Sequence, residues 1–208
     1  MTVAALAACA ALLCSDASRL ALMPLTKQEL GPAAARLMLA RDSGVDSNAS
    51  AARNAGPGVT AGDLARQGRV TGYTLDYVAP GPLPAAETLL GVQTIAELYR
   101  DRASATGGLA FWRGVTRRLA GSGPNGIAVA VSSFTAAVGD GAFGFELRYS
   151  LGGRTLAYVG DVVFRTGSML GAVFVTATNE TGLRDRTVSL AEKLLARIRA
   201  VLSGRGRR

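Results

Sequence analysis

Histidine is absent from this 208-residue sequence, and cysteine occurs only as Cys9 and Cys14. Without an imidazole, the chain has no Ser-His-Asp or Cys-His machinery and no histidine metal ligand. Both cysteines precede every segment that is predicted to fold, so neither disulfides nor a cysteine metal site should hold the domain together. These absences exclude most hydrolase classes, and the sequence predicts no metal and no cofactor.

Lysine is almost as scarce, because Lys27 and Lys193 are the only lysines among 23 basic residues. Against 15 acidic residues this leaves a formal net charge of +8, which by itself would suit nucleic acid. The arginines are scattered, however, and only the glycine-rich tail 204–208 is a tight cluster. We therefore expect a solvated basic tail and no nucleic-acid partner. A positive surface favours anionic lipid or acidic polymer.

Residues 3–14 form an uncharged, almost wholly apolar run that is too short to span a bilayer, which takes about 20 helical residues. Its length suits a secretory signal peptide, and residues 1–17 are predicted to be such a segment. Residues 6–9 also resemble the bacterial lipobox, which implies lipidation at Cys9 and a lipoprotein anchored to the membrane. No basic residue precedes Arg19, so a plain N-terminal helix remains an alternative.

The remaining chain has the composition of a folded domain, with 49% hydrophobic and 18% charged residues. Apolar and polar residues alternate over 143–149, which predicts a strand covered on one face. In 154–165 and 169–178 both alternating sets are apolar, which predicts two strands covered on both faces. Val163 and Phe164 should therefore both be buried, on opposite sides of the sheet.

Helical periodicity dominates two other segments. Residues 102–119 and 184–202 each carry an apolar stripe opposite charged positions, and two shorter helices are predicted over 47–54 and 60–67. A strand is also predicted over 34–40. Together the patterns predict an α+β fold with a mostly antiparallel sheet of about six or seven strands and a C-terminal docking helix. One domain should extend over 24–203.

Few motifs point to chemistry. The sequence 121–126 matches G-x-G-x-x-G, but it follows a helix and precedes a strand, which is the wrong order for a dinucleotide site. Asp161 is unusual because it interrupts an apolar strand. A buried carboxylate needs a partner such as arginine or a raised pKa, and a structural ion pair is the favoured interpretation. An enzyme with Asp161 or Asp140 as base is the alternative.

Aromatic residues are the candidate ligand-binding residues, because some are predicted on two strands and the others on the helix that should cover them. A space between this helix and the sheet could take an apolar ligand. The five residues predicted to line it are Tyr73, Tyr77, Tyr99, Phe111 and Trp112.

The order of the elements resembles exported actinobacterial proteins of the PsbP-like α/β sandwich kind, which include the extracytoplasmic sensor domain of mycobacterial receptor kinases and small lipoproteins. The segments that carry the resemblance are 42–44, 68–73, 162–167 and 187–202. The resemblance implies a noncatalytic domain of the bacterial cell envelope, secreted or membrane-anchored, that binds a ligand or a protein. It supplies no catalytic residue.

Three functions follow as hypotheses. The first is an exported, noncatalytic domain that binds an apolar or acidic envelope component, such as a lipid, or a protein partner. The second is a carboxylate-dependent enzyme, and the third is a purely structural envelope protein. We expect no chemically reactive side chains around a shared hollow. Paired acids in a concave pocket would favour the enzyme, and an apolar cleft without titratable groups would favour binding.

Overall fold

A broad antiparallel sheet organises the molecule, a computed structural model that describes residues 19–56, 58–81, 88–122 and 126–204. Within these residues nine strands form the sheet, eight of them in the order β1-β3-β4-β9-β8-β7-β6-β5, and β2 also pairs with β3. The strands are β1 (Met38–Leu39), β2 (Gly44–Asp46), β3 (Arg69–Val78), β4 (Leu89–Tyr99), β5 (Gly121–Ser122), β6 (Ile127–Phe134), β7 (Ala142–Leu151), β8 (Arg154–Thr166) and β9 (Met169–Ala177).

Helices cover the sheet on both faces. In the described part of the chain the α-helices are α1 (Asn48–Asn54), α2 (Ala61–Arg66), α3 (Arg102–Arg117) and α4 (Leu183–Leu202), and three short 3₁₀-helices precede them. Capping boxes begin the 3₁₀-helix at Lys27–Leu30 and helix α2, because Thr26 and Thr60 each exchange hydrogen bonds with an acid three residues later. None of the helices in the described ranges has the length and hydrophobicity needed to cross a membrane.

The main core lies on the side of the sheet that we call the α4 face. Helix α4 packs there beside the 3₁₀-helices. Leu20 and Met23, which precede the predicted start of the domain at residue 24, also belong to this core. Gly160 of β8 lies directly beneath Thr187 of α4, so a larger side chain at position 160 would push the helix away. The buried residues of α4 in this core are Leu183, Leu190, Ala191, Leu194, Ile198 and Val201.

The opposite side, the α3 face, is covered by α3 together with α1 and α2, and its core is smaller. Alternation along β8 places Val162 and Phe164 on the α4 face and Asp161 and Val163 on the α3 face. Phe164 is fully buried and Val163 is 5% exposed. The prediction that this strand is covered on both sides is thereby confirmed.

The predicted fold class is confirmed: six strands of eight or more residues are present in the described ranges, with two long helices and two short ones. The prediction of a strand over 34–40 was wrong for most of its length. Pro32 begins a 3₁₀-helix that extends to Ala34, and only Met38 and Leu39 pair with β3. Proline suits the first position of a helical turn because its φ is already set and its missing N–H is not needed there.

Candidate functional site

A cavity of about 470 Å³ lies on the α3 face, between the sheet and the helices α1 and α3. This volume falls in the range of small-molecule sites. Its floor is formed by apolar side chains of β4, β7, β8 and β9; α3 contributes Trp112 and Thr116, and Leu119 follows just after the end of this helix. The apolar floor residues include Ile95, Leu147, Val159, Val163, Ala172 and Phe174.

Helix α3 borders the cavity with side chains of its second half. Near its beginning the helix lies so close to β4 that Gly108 rests on the ring of Tyr99, where a Cβ would overlap the ring atoms. Towards its end the helix presents Thr116 to the cavity instead of filling the space with a large side chain. Asp101 fixes the start of the helix by accepting a hydrogen bond from the backbone N–H of Ser104 at 2.7 Å.

A buried ion network closes one side of the cavity. The fully buried guanidinium of Arg69 donates to Glu97 at 2.8 Å, to Asp46 at 2.6 Å and to the side-chain oxygen of Asn48 at 2.8 Å. Burial acts to lower the pKa of Arg69, but the carboxylates of Glu97 and Asp46 outweigh it and raise that pKa. The network joins β2, β3, β4 and α1, and two of its carboxylates line the cavity.

Glu97 also binds two aromatic residues. Its Oε2 accepts hydrogen bonds from the Tyr99 hydroxyl and from Trp112 Nε1, both at 3.1 Å. Burial, followed by the charge of Glu97, raises the pKa of Tyr99, so the tyrosine stays a neutral donor. These bonds hold Trp112 at the edge of the cavity, with its polar atom turned to the protein.

Asp161 occupies the centre of β8 and is 1% exposed. Its Oδ2 accepts a hydrogen bond from the Thr116 hydroxyl at 3.3 Å, whereas Oδ1 is buried with no hydrogen-bond partner among the described residues. Burial raises the pKa of Asp161 to about 8, and the bond from Thr116 only partly opposes this. The carboxyl is therefore mostly protonated at neutral pH.

The prediction of an arginine partner for Asp161 was wrong. Asp161 faces helix α3, and the group that this helix turns towards it is the neutral Thr116. The three arginines of α3 lie elsewhere: Arg113 is exposed and donates to the backbone of Ala142, and Arg102 and Arg117 are also exposed. Because no counter-charge from the described residues compensates the loss of water, the pKa of the carboxyl is raised.

Two further titratable groups line the cavity. Burial, with a smaller contribution from Asp42, raises the pKa of Asp76, which is partly exposed. Burial and the neighbouring Asp161 raise the pKa of Tyr149. Together with Asp161 and the two carboxylates bound to Arg69, Asp76 gives the lining four acids, and the described lining contains no lysine or arginine. The expectation of a hollow without reactive groups was therefore wrong.

The five aromatic residues that were predicted to line one space lie in different parts of the structure. Trp112 lines the cavity, and Tyr99 lies beneath it, bonded to Glu97. Phe111 packs on the small cluster between α1 and α2. Tyr73 and Tyr77 point to the α4 face and pack against the main core. The five side chains do not line one cavity, because alternation along β3 sends both tyrosines to the other side of the sheet.

Asp140, the other candidate base, stabilises a turn outside the cavity lining. It accepts from the backbone N–H of Gly167 at 3.0 Å and from Arg165 at 3.2 Å. The bond from Gly167, with help from Arg165, lowers the pKa of Asp140. A carboxylate held ionised in this way supports the local turn and is not poised to accept a proton from a ligand in the cavity.

Sequence patterns identified only part of this site. The candidates from the sequence did not include Asp46, Arg69, Asp76, Glu97 or Thr116, although the polar residues Gln93 and Glu97 lie on the same face of β4. Among the described residues no group of three or more acidic, histidine or cysteine side chains is arranged to hold a metal ion. Cys9 and the predicted signal segment 1–17, like tail residues 205–208, lie outside the described residues.

The fold belongs with α+β domains in which helices cover both faces of an antiparallel sheet. Among solved structures it is similar to the crystal structure of the extracellular domain of PknH from Mycobacterium tuberculosis, with a TM-score of 0.59 and 12% sequence identity. The match covers 88% of this chain and 95% of that one. The expected likeness to a mycobacterial kinase sensor domain is confirmed for the fold. No family model and no curated protein matches the sequence.

Proposed function

We propose that this chain is an exported, noncatalytic domain that binds an apolar small molecule in the cavity beneath α3. The observation that carries the proposal is the cavity of about 470 Å³, whose floor is apolar although it lies between the sheet and the helices that pack on this face. Filling such a space with side chains would stabilise the fold, so its presence beside fixed polar groups is typical of a ligand site.

The extracytoplasmic location rests on two supports. The fold is similar to a domain described as extracellular, and residues 1–17 have the length and hydrophobicity of a signal segment. Fractionation of the native host, with mass spectrometry of the mature N-terminus, tests the location. Export predicts a chain that begins at Ser18, or at a lipidated Cys9. A cytosolic protein with an intact N-terminus would contradict it.

Ligand binding is tested with Nile red, a neutral apolar dye, on the whole chain. Thr176 is half-buried and lines the cavity, so Thr176→Trp should obstruct it and reduce dye affinity by about tenfold or more. Thr155→Trp is the matched control, because this threonine is also half-buried, lies on the adjacent strand and is outside the lining. Equal dye binding by both variants, with folding verified by circular dichroism, would contradict the site.

Native mass spectrometry of protein from its own host tests whether a molecule is carried naturally. The proposal predicts an adduct that organic solvent extracts and that Thr176→Trp lacks. A protein that is ligand-free in both forms and binds no dye would favour a purely structural role.

A carboxylate-dependent enzyme is the second candidate, and Asp161 is the observation that favours it, since a raised pKa in a cavity is typical of a general acid. Against it, the described lining contains no serine, cysteine or lysine nucleophile. No second carboxylate contributes to the raised pKa of Asp161, so the acids do not form a coupled pair around it. If the protein turned over aryl ester, glycoside or phosphate substrates and Asp161→Asn abolished this activity, the enzyme would replace the noncatalytic binding domain as the proposed function.

A further inference from the structure

The charge of the cavity is opposite to the charge of the whole protein. The sequence has 23 basic and 15 acidic residues, yet the described lining has four carboxyl groups and no basic side chain. Arg69, which lies behind the lining, forms ion pairs with two of them, Asp46 and Glu97, and its single positive charge balances only one of the two negative charges. Asp76 and Asp161 have no such counter-ion among the ion pairs of the described residues. The described lining therefore offers an anionic ligand no positive partner, whereas a cation would be attracted to its ionised carboxylates and could ionise Asp161 when it binds.

Asp161 provides a defined position at which a cationic group could bind. Its side chain is buried, lines the cavity and has only one oxygen satisfied, by Thr116. The other oxygen, Oδ1, has no hydrogen-bond partner in the described structure. Buried polar atoms without a partner are rare in folded proteins, and each one costs stability. A ligand that donates a hydrogen bond to Oδ1 would remove this cost when it binds.

Aromatic rings surround the same space. Trp112 and Tyr149 line the cavity with Phe174, and the faces of such rings attract cations. The apolar floor continues beyond them along β8 and β9 through Val163 and Ala172. The lining therefore offers one acidic position and an extended apolar surface, which suits a molecule with a cationic end and a hydrocarbon body.

We propose that the ligand of this cavity is an apolar molecule with a primary ammonium group, which donates a hydrogen bond to Oδ1 of Asp161 while its hydrocarbon part lies on the sheet. This proposal rests on the proposed function, since it names the ligand class of the same cavity. When the ammonium binds a protonated Asp161, the carboxyl proton leaves to solvent, so the ammonium and the carboxylate form a neutral pair.

The probes are octylammonium, octanol and octanoate, which share a chain length and differ in charge, and each is titrated calorimetrically into the full chain. The proposal predicts that octylammonium binds most tightly and octanoate most weakly. Asp161→Asn, which preserves the shape and an acceptor for Thr116, should weaken octylammonium by about tenfold or more and change octanol by less than about twofold. Glu192→Gln, an exposed carboxyl on α4, is the control and should change neither.

A pH profile of the wild-type protein provides a readout that needs no variant. Asp161 is faced by the neutral Thr116 from α3 and by Tyr149 from β7, and the cavity is also lined by Asp46 from β2, Asp76 from β3 and Glu97 from β4. Because the ammonium requires the carboxylate, its affinity should rise by up to roughly tenfold per pH unit as the pH approaches the pKa of Asp161 from below. Octanol affinity should stay flat or fall.

The outcomes separate this proposal from the proposed function. If none of the three probes binds, and Nile red does not bind either, the cavity is not a ligand site and both proposals fail. If octanol binds as tightly as octylammonium, and Asp161→Asn changes neither, the cavity is a ligand site but the ammonium proposal is overturned. Tighter binding of octanoate would also overturn it. Proton release on octylammonium binding, absent with octanol, would support it.

Discussion

Replacing Asp161 by asparagine should stabilise the protein against unfolding, and the gain should increase with pH. In the folded chain burial raises the pKa of this carboxyl from 3.8 to about 8. Between these two values the unfolded chain has lost the proton while the folded chain still holds it. Folding then takes up a proton, so stability falls as the pH rises, by about 1.4 kcal/mol per pH unit.

The full loss amounts to roughly 6 kcal/mol, because the interval between the two pKa values is about four pH units. This is comparable to the whole stability of many domains, which is about 5–15 kcal/mol. Asparagine has nearly the same shape but does not titrate, so the Asp161→Asn variant lacks this loss. Acids such as Asp63 and Asp101, whose pKa values are lowered, have the opposite slope, but both proteins share them.

Urea unfolding of the two proteins, measured at several pH values between about 5 and 8, gives the difference directly. The advantage of Asp161→Asn should grow by about 1.4 kcal/mol for each pH unit at the lower end of this range, and the increase should flatten as the pH reaches about 8. Glu192→Gln, on the exposed side of α4, provides the comparison and should show no such trend. A constant difference between wild type and Asp161→Asn across this range would refute the assignment of Asp161 as a buried carboxyl without a counter-charge among the described residues.

Two further stability predictions can be measured in the same assay. Gly107→Ala should stabilise α3 by about 0.5–1 kcal/mol, because the added Cβ would meet only Gln67. Gly108→Ala should destabilise the protein by about 1–3 kcal/mol, because the added Cβ would overlap the buried ring of Tyr99. Equal effects of the two variants would contradict the close approach of α3 to β4. Arg69→Met should lower the free energy of unfolding by about 3–5 kcal/mol, because it leaves the buried carboxylates of Asp46 and Glu97 without their cation. Arg197→Met removes an ion pair that is about one-third exposed and should lower it by less than about 1 kcal/mol. Similar losses would show that the Arg69 network is not buried as described.

The strands and helices that carry their own periodicity were predictable from the sequence. Helix α4 begins one residue before its predicted start, and β8 and β9 end within one residue of theirs. In these segments each side chain's environment repeats with the period of the element, so the pattern encodes both element and face. The segment 34–40 lacks such a pattern, and its short strand forms only because β3 is available as a partner.

The site was less predictable because it depends on which distant residues meet. Asp161 stood out in the sequence, but its partner Thr116 is 45 positions away and is brought near by the packing of α3 on β8. Arg69 reaches Glu97 beside an irregularity in the β3–β4 register, between Arg69 and Thr71. Such a bulge leaves no clear mark in a sequence, yet it decides where nearby side chains point.

The error over Tyr73 and Tyr77 has a related cause. The two tyrosines share a face of β3 with each other and with Leu75, as their spacing indicates. Spacing alone does not say which side of the sheet that face meets, since both sides are covered by helices. The acids Asp76 and Glu97, on the other face, line the cavity instead.

Methyl NMR of the whole chain with octylammonium tests the central claim most directly, because it locates the ligand in the fold. Binding beneath α3 predicts shift changes and ligand contacts at methyl groups of Ile95, Leu147 and Val163, which line the cavity. Methyl groups of Leu194 and Ile198, in the core under α4, should be unaffected. Saturating ligand that leaves the cavity methyl groups unchanged, or that shifts only those under α4, would contradict the claim.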